Sequence, residues 1–286
     1  MSRKSPLLDR RAVFSSAAAA ALLAATGVSA AGVPTRGGRL RMALSGANRS
    51  DTWGLGDGLF MQVARQGLIF DTLTEVAADG TLRPELATGW QTPDDGRVWM
   101  FDIRADVRFH DGTALTAADA VASLAPLIAG NVTALRSDQL KIVLDSANMD
   151  LPLLLSRGDF VIRPAHALAD GVGTGLYRVK QFRPGQHLLT ERVGAHYKDG
   201  AAGWFDQVEL TSIPSEQVRG QALGEYLVDA IDIRDAAPLV SLHDIHLMPD
   251  HRHPTQAVST TVSQPAQVSH LRPLDNLRAA ERWWFG

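Results

Sequence analysis

The chain has 286 residues, with 28 Lys and Arg against 31 Asp and Glu, a formal net charge of −3 and no cysteine. A slightly acidic chain without a basic block argues against nucleic acid as a partner, because phosphate binding needs clustered lysine and arginine. The lack of cysteine excludes disulfides, so the stability of the fold has to come from its core.

Residues 1–30 have the composition of an export signal. Arg10 and Arg11 precede an apolar run over 17–25 that is too short to span a bilayer, and the Val-Ser-Ala at 28–30 supplies the small residues that signal peptidase needs. The arginine pair resembles a twin-arginine signal, and the alternative is a general secretory signal that happens to carry two arginines. We expect a soluble periplasmic protein with no membrane span in the mature chain, whose 24 basic and 30 acidic residues give a net charge of −6.

A strand is predicted shortly after the leader. Leu40, Met42 and Leu44 alternate with other residues, which is the pattern of a strand with one buried face. The small polar segment 45–53 follows it. Such a segment suits the rim of a binding site, since functional groups sit on loops that a rigid scaffold positions; an ordinary solvated loop is the alternative.

Antiparallel strands and helices are predicted next. A helix within 58–73 precedes a hairpin in which Trp99, Phe101 and Ile103 point to one face. The alternation indicates a half-buried strand.

A capped helix follows this strand in the sequence. Thr116 with Asp119 three residues later resembles a capping box, and the predicted helix carries Val121, Leu124 and Ile128 on one face. Gly130 is predicted to end it.

The last strongly patterned part of the chain lies over 173–232. Glycines at 173 and 175 allow a tight backbone before a strand. A further strand is predicted over 204–210. A helix with Val218, Ala222 and Leu223 pointing inward and a buried strand over 228–232 complete this part.

Three blocks in this order resemble the first lobe of the periplasmic solute-binding proteins that serve peptide, oligopeptide and nickel ABC importers (extracellular solute-binding family 5). The blocks are residues 66–115, the Gly-Thr-Gly-Leu-Tyr at 173–177, and 204–232. In the second block Leu176 stands where the family has proline. The resemblance implies a mixed α/β fold, namely a first lobe like that of type II periplasmic binding proteins with an antiparallel subdomain.

The resemblance also implies a division of the chain. We expect a signal peptide over 1–30, a lobe-one-like solute-binding domain over 31–232 with an inserted subdomain at about 55–165, and an atypical connector and aromatic tail over 233–286. The family's second lobe is expected to be missing.

By the same resemblance the protein binds a solute and is not an enzyme, needs no cofactor, and works with the permease subunits of an ABC importer. Its ligand is a short peptide or similar small solute. The expected ligand-contacting residues lie in two segments, Ser45, Gly46, Asn48, Thr52 and Trp53 in the first and Gly173, Thr174 and Tyr177 in the second. The chain has no metalloprotease, nucleophile-elbow, phosphate-loop or dinucleotide motif that would indicate catalysis.

Two features near the C-terminus leave alternatives open. Neutral imidazoles can bind zinc, nickel or copper, and four of the nine histidines cluster together, although a solvated connector is the simpler interpretation. These four are His243, His246, His251 and His253. Trp283, Trp284 and Phe285 either pack on the chain's own sheet or contact a partner, either a second lobe or another copy in a homodimer. The alternatives to transport are therefore a degenerate lobe with an interaction or regulatory role, and a metal-binding protein.

Overall fold

The computed structural model describes residues 36–66, 68–76, 81–242, 245–248 and 255–259. In chain order its strands are β1 (Arg39–Leu44), β2 (Thr74–Val76), β3 (Leu82–Pro84), β4 (Ala87–Gln91), β5 (Val98–Ile103), β6 (Gly130–Arg136), β7 (Gln139–Leu144), β8 (Tyr177–Arg183), β9 (His187–Arg192), β10 (Gln207–Ser212), β11 (Ala230–Ile233), β12 (Ile245–Met248) and β13 (Thr255–Ser259). Its helices are α1 (Leu59–Arg65), α2 (Ala117–Leu124), α3 (Leu151–Leu154) and α4 (Glu216–Gly224). None of these helices is long and apolar enough to cross a bilayer.

A mixed sheet forms the centre of the described fold. Its strand order is β12-β13-β11-β1-β10-β9-β8, with β1 parallel to both β10 and β11 and the outer strands antiparallel. The predicted alternation in β1 is confirmed, because Leu40, Met42 and Leu44 are fully buried against α1 and the neighbouring strands. A mixed α/β fold is thus what the structure shows.

Strands β12 and β13 extend this sheet beyond β11. Residues 245–248 and 255–259 pair with each other in antiparallel register, and β13 pairs with β11. This part of the segment 233–286 therefore belongs to the sheet, although the sequence predicts a connector there.

The predicted antiparallel unit lies between β1 and β8. A second sheet has the order β4-β5-β7-β6, and all its pairings are antiparallel. Trp99, Phe101 and Ile103 are buried on one face of β5, as their alternation predicts. Helix α1, by contrast, packs into the core of the central sheet rather than into this unit, and the core of the inserted unit begins at Leu73.

Helix α2 begins where the sequence predicts and ends earlier. The carboxylate of Asp119 accepts hydrogen bonds from the backbone N–H (2.9 Å) and the hydroxyl (2.8 Å) of Thr116, and together they form the capping box. The predicted end at Gly130 is wrong, because the helix stops at Leu124. Gly130 instead starts β6 at φ +149°, where a Cβ would lie 2.2 Å from the carbonyl oxygen of Val143.

Two other predictions near the central sheet need correction. Val218 of α4 is exposed, whereas Ala222 and Leu223 are buried as predicted. The strand predicted from 204 begins at Gln207, and Trp204 and Phe205 are buried just before it. Apolar character alone does not separate a buried loop residue from a strand residue.

Candidate ligand-binding edge

The parallel strands β1, β10 and β11 end at one edge of the central sheet. In open α/β sheets, ligands bind in the crevice outside the carboxyl ends of such strands. The segments that leave this edge begin at Ser45, Ile213 and Arg234. The sequence alone points to the first of these segments as a rim.

A buried network joins the three strand ends. The backbone N–H and hydroxyl of Ser45 donate to the carboxylate of Asp232 at 2.8 and 2.7 Å. Arg219 of α4 forms an ion pair with the same carboxylate (3.2 Å) and donates to the carbonyl oxygens of Ile213 (2.6 Å) and Pro214 (3.0 Å). Because Arg219 and Asp232 are nearly inaccessible to solvent, this network holds the edge in shape rather than contacting solute.

The segment after β1 contains exposed and buried members of the predicted site. Gly46, Asn48 and Thr52 are exposed, and Ser45 is half-buried. Gly46 has φ +80° and lies against Gly58, where an added Cβ would be 1.8 Å from the Gly46 carbonyl oxygen. The chain between Gly46 and Gly58 therefore forms a loop that is closed by contact between these two glycines, and larger residues would prevent this contact.

Trp53 anchors this segment in the core. Its ring lies 4.6 Å from the ring of Phe182 and meets Phe70 edge-on at 6.0 Å, measured between ring centroids. Asp51, also buried, accepts a hydrogen bond from the backbone N–H of Asn48 at 2.7 Å. Trp53 and Asp51 therefore hold in place the segment that carries the exposed polar groups of the predicted rim.

The second predicted segment lies in the interior. Thr174 is buried and donates its hydroxyl to Asp71 at 3.0 Å, while the buried hydroxyl of Tyr177 donates to the carbonyl oxygen of Phe205 at 3.1 Å. Burial raises the pKa of Tyr177. Gly173 packs so tightly that a Cβ would lie 1.9 Å from the carbonyl oxygen of Ile69. These residues support the fold beneath the rim and offer no free group to solvent.

The histidine cluster and both chain ends fall largely outside the described residues. His243, His251 and His253 lie outside them, and His246 lies in β12, where only the backbone is described. Within the described ranges no group of three or more His, Cys, Asp or Glu side chains is placed to hold a metal ion. The signal segment 1–30 and the tail residues Trp283, Trp284 and Phe285 also lie outside the described residues.

Sequence reasoning missed a buried charge cluster around Lys198. Its ammonium group lies 3.5 Å from Asp71, 3.2 Å from Glu75 and in contact with Glu85. All four side chains are at least nine-tenths buried. Lys198 is more than 100 residues away from each of these three carboxylates along the chain, so no local pattern could have indicated the cluster.

Solved structures share this fold. The PBP AgaA from A. tumefaciens R10, in complex with agropinic acid, has a TM-score of 0.67 at 24% identity, and the match covers 74% of this chain and 48% of AgaA. The periplasmic binding protein DppA from Helicobacter pylori, in complex with the peptide STSA, has a TM-score of 0.65 at 21% identity, with 74% and 50% covered. The described fold is therefore that of periplasmic binding proteins, and the chain spans about half the length of these two.

Sequence relatives match shorter stretches. The nickel-binding periplasmic protein of Escherichia coli strain K12 is 37% identical over 51 residues, 18% of this chain and 10% of the relative. The HTH-type transcriptional regulator SgrR of Pectobacterium atrosepticum is 32% identical over 170 residues, 54% of this chain and 30% of the relative.

The family model described as bacterial extracellular solute-binding proteins, family 5 Middle, matches residues 81–261. Since this is more than half of the chain, the protein belongs to family 5 of the bacterial extracellular solute-binding proteins. The members of this family bind solutes and are not enzymes, in agreement with the expectation from the sequence.

Proposed function

We propose that this chain is the periplasmic solute-binding component of an ABC-type importer and that it binds a short peptide or similar small solute. The observation that carries the proposal is the match to the family 5 model over 181 of the 286 residues. The edge formed by the ends of β1, β10 and β11 supports it, because a buried network fixes this edge beneath an exposed polar rim.

The proposed ligand class is inferred from the ligands and names of the relatives. One solved relative holds a peptide and one holds agropinic acid, and a sequence relative is named for nickel. We favour peptides and small organic solutes, because the two solved relatives hold ligands of these kinds. The permease subunits of the importer are the proposed partners.

Ligand-observed NMR with di-, tri- and longer peptides tests the proposal on the mature chain. On the proposal that this chain supplies one wall of the binding cleft, we expect dissociation constants toward the millimolar end, about −4 kcal/mol. Competition among the binding peptides for one site is the expected result. Absence of binding by the whole peptide set would contradict the proposed function.

A second candidate is an interaction or regulatory module. It is favoured by the match of 170 residues to a protein named as a transcriptional regulator. Measuring whether the protein is exported distinguishes the transport component from the regulatory module. Periplasmic accumulation that is lost when Arg10 and Arg11 are both replaced by Lys supports the transport component and the twin-arginine route. Retention of the unmutated protein in the cytoplasm would favour the regulatory module.

A further inference from the structure

Two histidine side chains bind the backbone of the buried segment 173–175. Nε2 of His110 lies 2.8 Å from the carbonyl oxygen of Gly175, and Nε2 of His196 lies 2.8 Å from that of Thr174. His110 lies between β5 and α2 in the inserted unit, and His196 lies in the loop between β9 and β10. Rings from two separate parts of the chain therefore contact neighbouring carbonyl groups of one short segment.

The second nitrogen of each ring accepts a hydrogen bond from a backbone N–H. Gly173 donates to Nδ1 of His110 at 3.4 Å, and Lys198 donates to Nδ1 of His196 at 3.1 Å. A carbonyl oxygen can only accept and a backbone N–H can only donate, so both rings are neutral with the proton on Nε2. A proton added to Nδ1 would face another N–H, and the hydrogen bond at that nitrogen would be lost.

The segment 173–175 lies between the two cores of the described fold. Val172 packs against the core of the inserted unit, whereas Leu176 is buried in the core of the central sheet. The backbone N–H of His110 also donates to the carbonyl oxygen of Gly173 at 2.8 Å. The contacts of His110 therefore attach the inserted unit to the place where the chain returns to the central sheet.

The surroundings of His110 disfavour a charged ring. Burial has the largest effect on the pKa of His110 and lowers it. The carbonyl oxygen of Gly175 and the carboxylate of Asp71 oppose this shift, while His196 and Arg178 act in the same direction as burial. The net shift is downward, so the folded protein keeps this ring neutral at a pH where an exposed imidazole, with a value of about 6.5, takes up a proton.

His196 differs because a carboxylate lies beside it. Its Nε2 is 3.7 Å from Asp71, which also binds Lys198 and accepts the hydroxyl of Thr174. Asp199 accepts the backbone N–H of His196 at 3.1 Å. Since Asp71 attracts a positive charge on His196, the ring whose protonation the fold opposes is that of His110.

We propose that His110 is a pH-sensitive switch for the attachment of segment 173–175 to the inserted unit, with His196 as the second point of attachment. The neutral ring makes both of its hydrogen bonds, and the contact is closed. When the contact opens, the exposed ring binds a proton with the ordinary midpoint of about 6.5. Opening therefore becomes more favourable as the pH falls below this value, because the open form binds a proton that the closed form excludes.

The switch is connected to the base of the predicted rim. Gly171, just before segment 173–175, lies so close to Trp53 that an added Cβ would be 2.7 Å from the indole ring. Trp53 is buried and anchors segment 45–53. Opening of segment 173–175 therefore loosens this anchor, and acid should weaken the binding of a solute at the rim. This last step rests on the proposed function.

Amide hydrogen exchange, followed by NMR on the ¹⁵N-labelled mature chain from pH 8 to pH 5, tests the switch. Protection factors, which correct for the intrinsic pH dependence of exchange, should fall at least about tenfold for His110 and Gly173, the equivalent of one lost hydrogen bond. The amides of β10, which is paired on both sides, should keep their protection. Unchanged protection at His110 and Gly173, or an equal loss throughout β10, would overturn the proposal.

The imidazole ring gives a second readout in the unmutated protein. Its ¹⁵N spectrum at pH 8 should show the proton of His110 on Nε2, because Nδ1 accepts the N–H of Gly173. On titration the midpoint of His110 should lie below about 6.5. A proton on Nδ1 at pH 8, or a midpoint at or above that value, would contradict the switch.

Glutamine variants separate the hydrogen bonds from the charge. The amide of glutamine offers a donor and an acceptor but takes up no proton in this range, so His110→Gln should keep the protection of Gly173 nearly constant from pH 8 to pH 5. His166→Gln is the matched control, since the side chain of His166 is 54% exposed and pairs with Asp111 at 2.8 Å. It should retain the fall in protection. A fall that persists in His110→Gln, or one that disappears in His166→Gln, would count against the switch, and the spectra of the unmutated protein decide the matter if His110→Gln does not fold.

The switch and the proposed function can fail separately. Neither the exchange measurement nor the imidazole spectra use a solute, so their failure rejects the switch and leaves solute binding standing. Peptide affinity that is equal at pH 8 and pH 5, while Gly173 loses protection, rejects the connection between the switch and the rim. Absence of peptide binding at pH 8, with the exchange result as expected, rejects the proposed function and keeps the switch.

Discussion

At the scale of single residues, the surroundings of Lys198 show how the inserted unit is tied to the central sheet. Asp71 and Glu75 follow the core segment after α1, and Glu85 precedes β4. Lys198 comes from the loop between β9 and β10 and contacts all three carboxylates. A buried ion group of this kind makes the fold sensitive to the loss of any one partner, because the charges that remain buried lose part of their compensation.

Replacing Lys198 by Met should therefore destabilise the protein strongly. The expected loss of unfolding free energy is about 3–5 kcal/mol, because three buried carboxylates lose their shared cation. Urea denaturation at neutral pH measures it. Lys180→Met is the matched control, since Lys180 pairs with Glu191 at 2.8 Å on the surface, and it should cost no more than about 1 kcal/mol. Equal costs for both variants would contradict this account of the cluster.

His110 should make stability depend on pH. Desolvation by burial lowers its pKa, although the carbonyl oxygen of Gly175, 2.8 Å from Nε2, opposes the shift. Between the lowered pKa and the unfolded value of about 6.5, the unfolded chain binds a proton at this site and the folded chain does not. Stability contributed by the neutral ring is therefore lost as the pH falls through about 6.5.

The measurement compares His110→Gln with the unmutated protein in urea denaturation from pH 8 to pH 5. At pH 8 the ring is neutral in both states, which supplies the reference difference between the two proteins. Below about pH 6.5 the unmutated protein should lose more stability than the variant. Identical pH slopes would show that protonation of His110 is not coupled to unfolding.

At the scale of elements, tight backbone contacts connect the segment before β8 to the segment after α1. Gly173 and Gly175 lie against the carbonyl oxygens of Ile69 and Leu68, and an added Cβ would be 1.9 and 2.2 Å from them. The backbone N–H of Gly175 donates to Ile69 at 2.9 Å. These glycines are required by close approach of two chain segments, not by a turn.

Gly173→Ala should disturb this contact. Because the obstacle is backbone rather than a movable side chain, we expect a loss of about 1–3 kcal/mol or more. Thermal and urea unfolding measure it. Gly194→Ala provides the control, since a Cβ there would meet no atom within 4 Å, and it should leave stability nearly unchanged. If Gly173→Ala left the stability unchanged, the two segments would have to separate at little cost in free energy.

At the scale of the whole molecule, the match to this chain covers only 48% and 50% of the two solved relatives. Binding proteins of two lobes close on their ligand, and closure stabilises the bound state. On the proposal that this chain supplies one wall of the cleft, its X-ray scattering profiles with and without a bound peptide should superimpose. Compaction on binding, or affinity in the micromolar range, would contradict that proposal.

Local patterns predicted much of the fold. Strand β1, the buried face of β5 and the start of α2 each depend on residues within a few positions of one another, and alternation or capping reports such contacts directly. The end of α2 was predicted wrongly, because Gly130 is needed for its close approach to β7 and not for a helix end. Similarly, β12 and β13 carry no strong strand pattern and are placed by pairing with β11.

The sequence by itself determined the class of fold and the family, because order and spacing of patterned blocks are properties of the chain. Only the tertiary structure decided which polar groups meet. Ser45 with Asp232 and Lys198 with its carboxylates come from segments more than 100 residues apart in the chain. Because Asp232, Lys198 and its carboxylates are buried and paired, they hold the edge and the inserted unit in place.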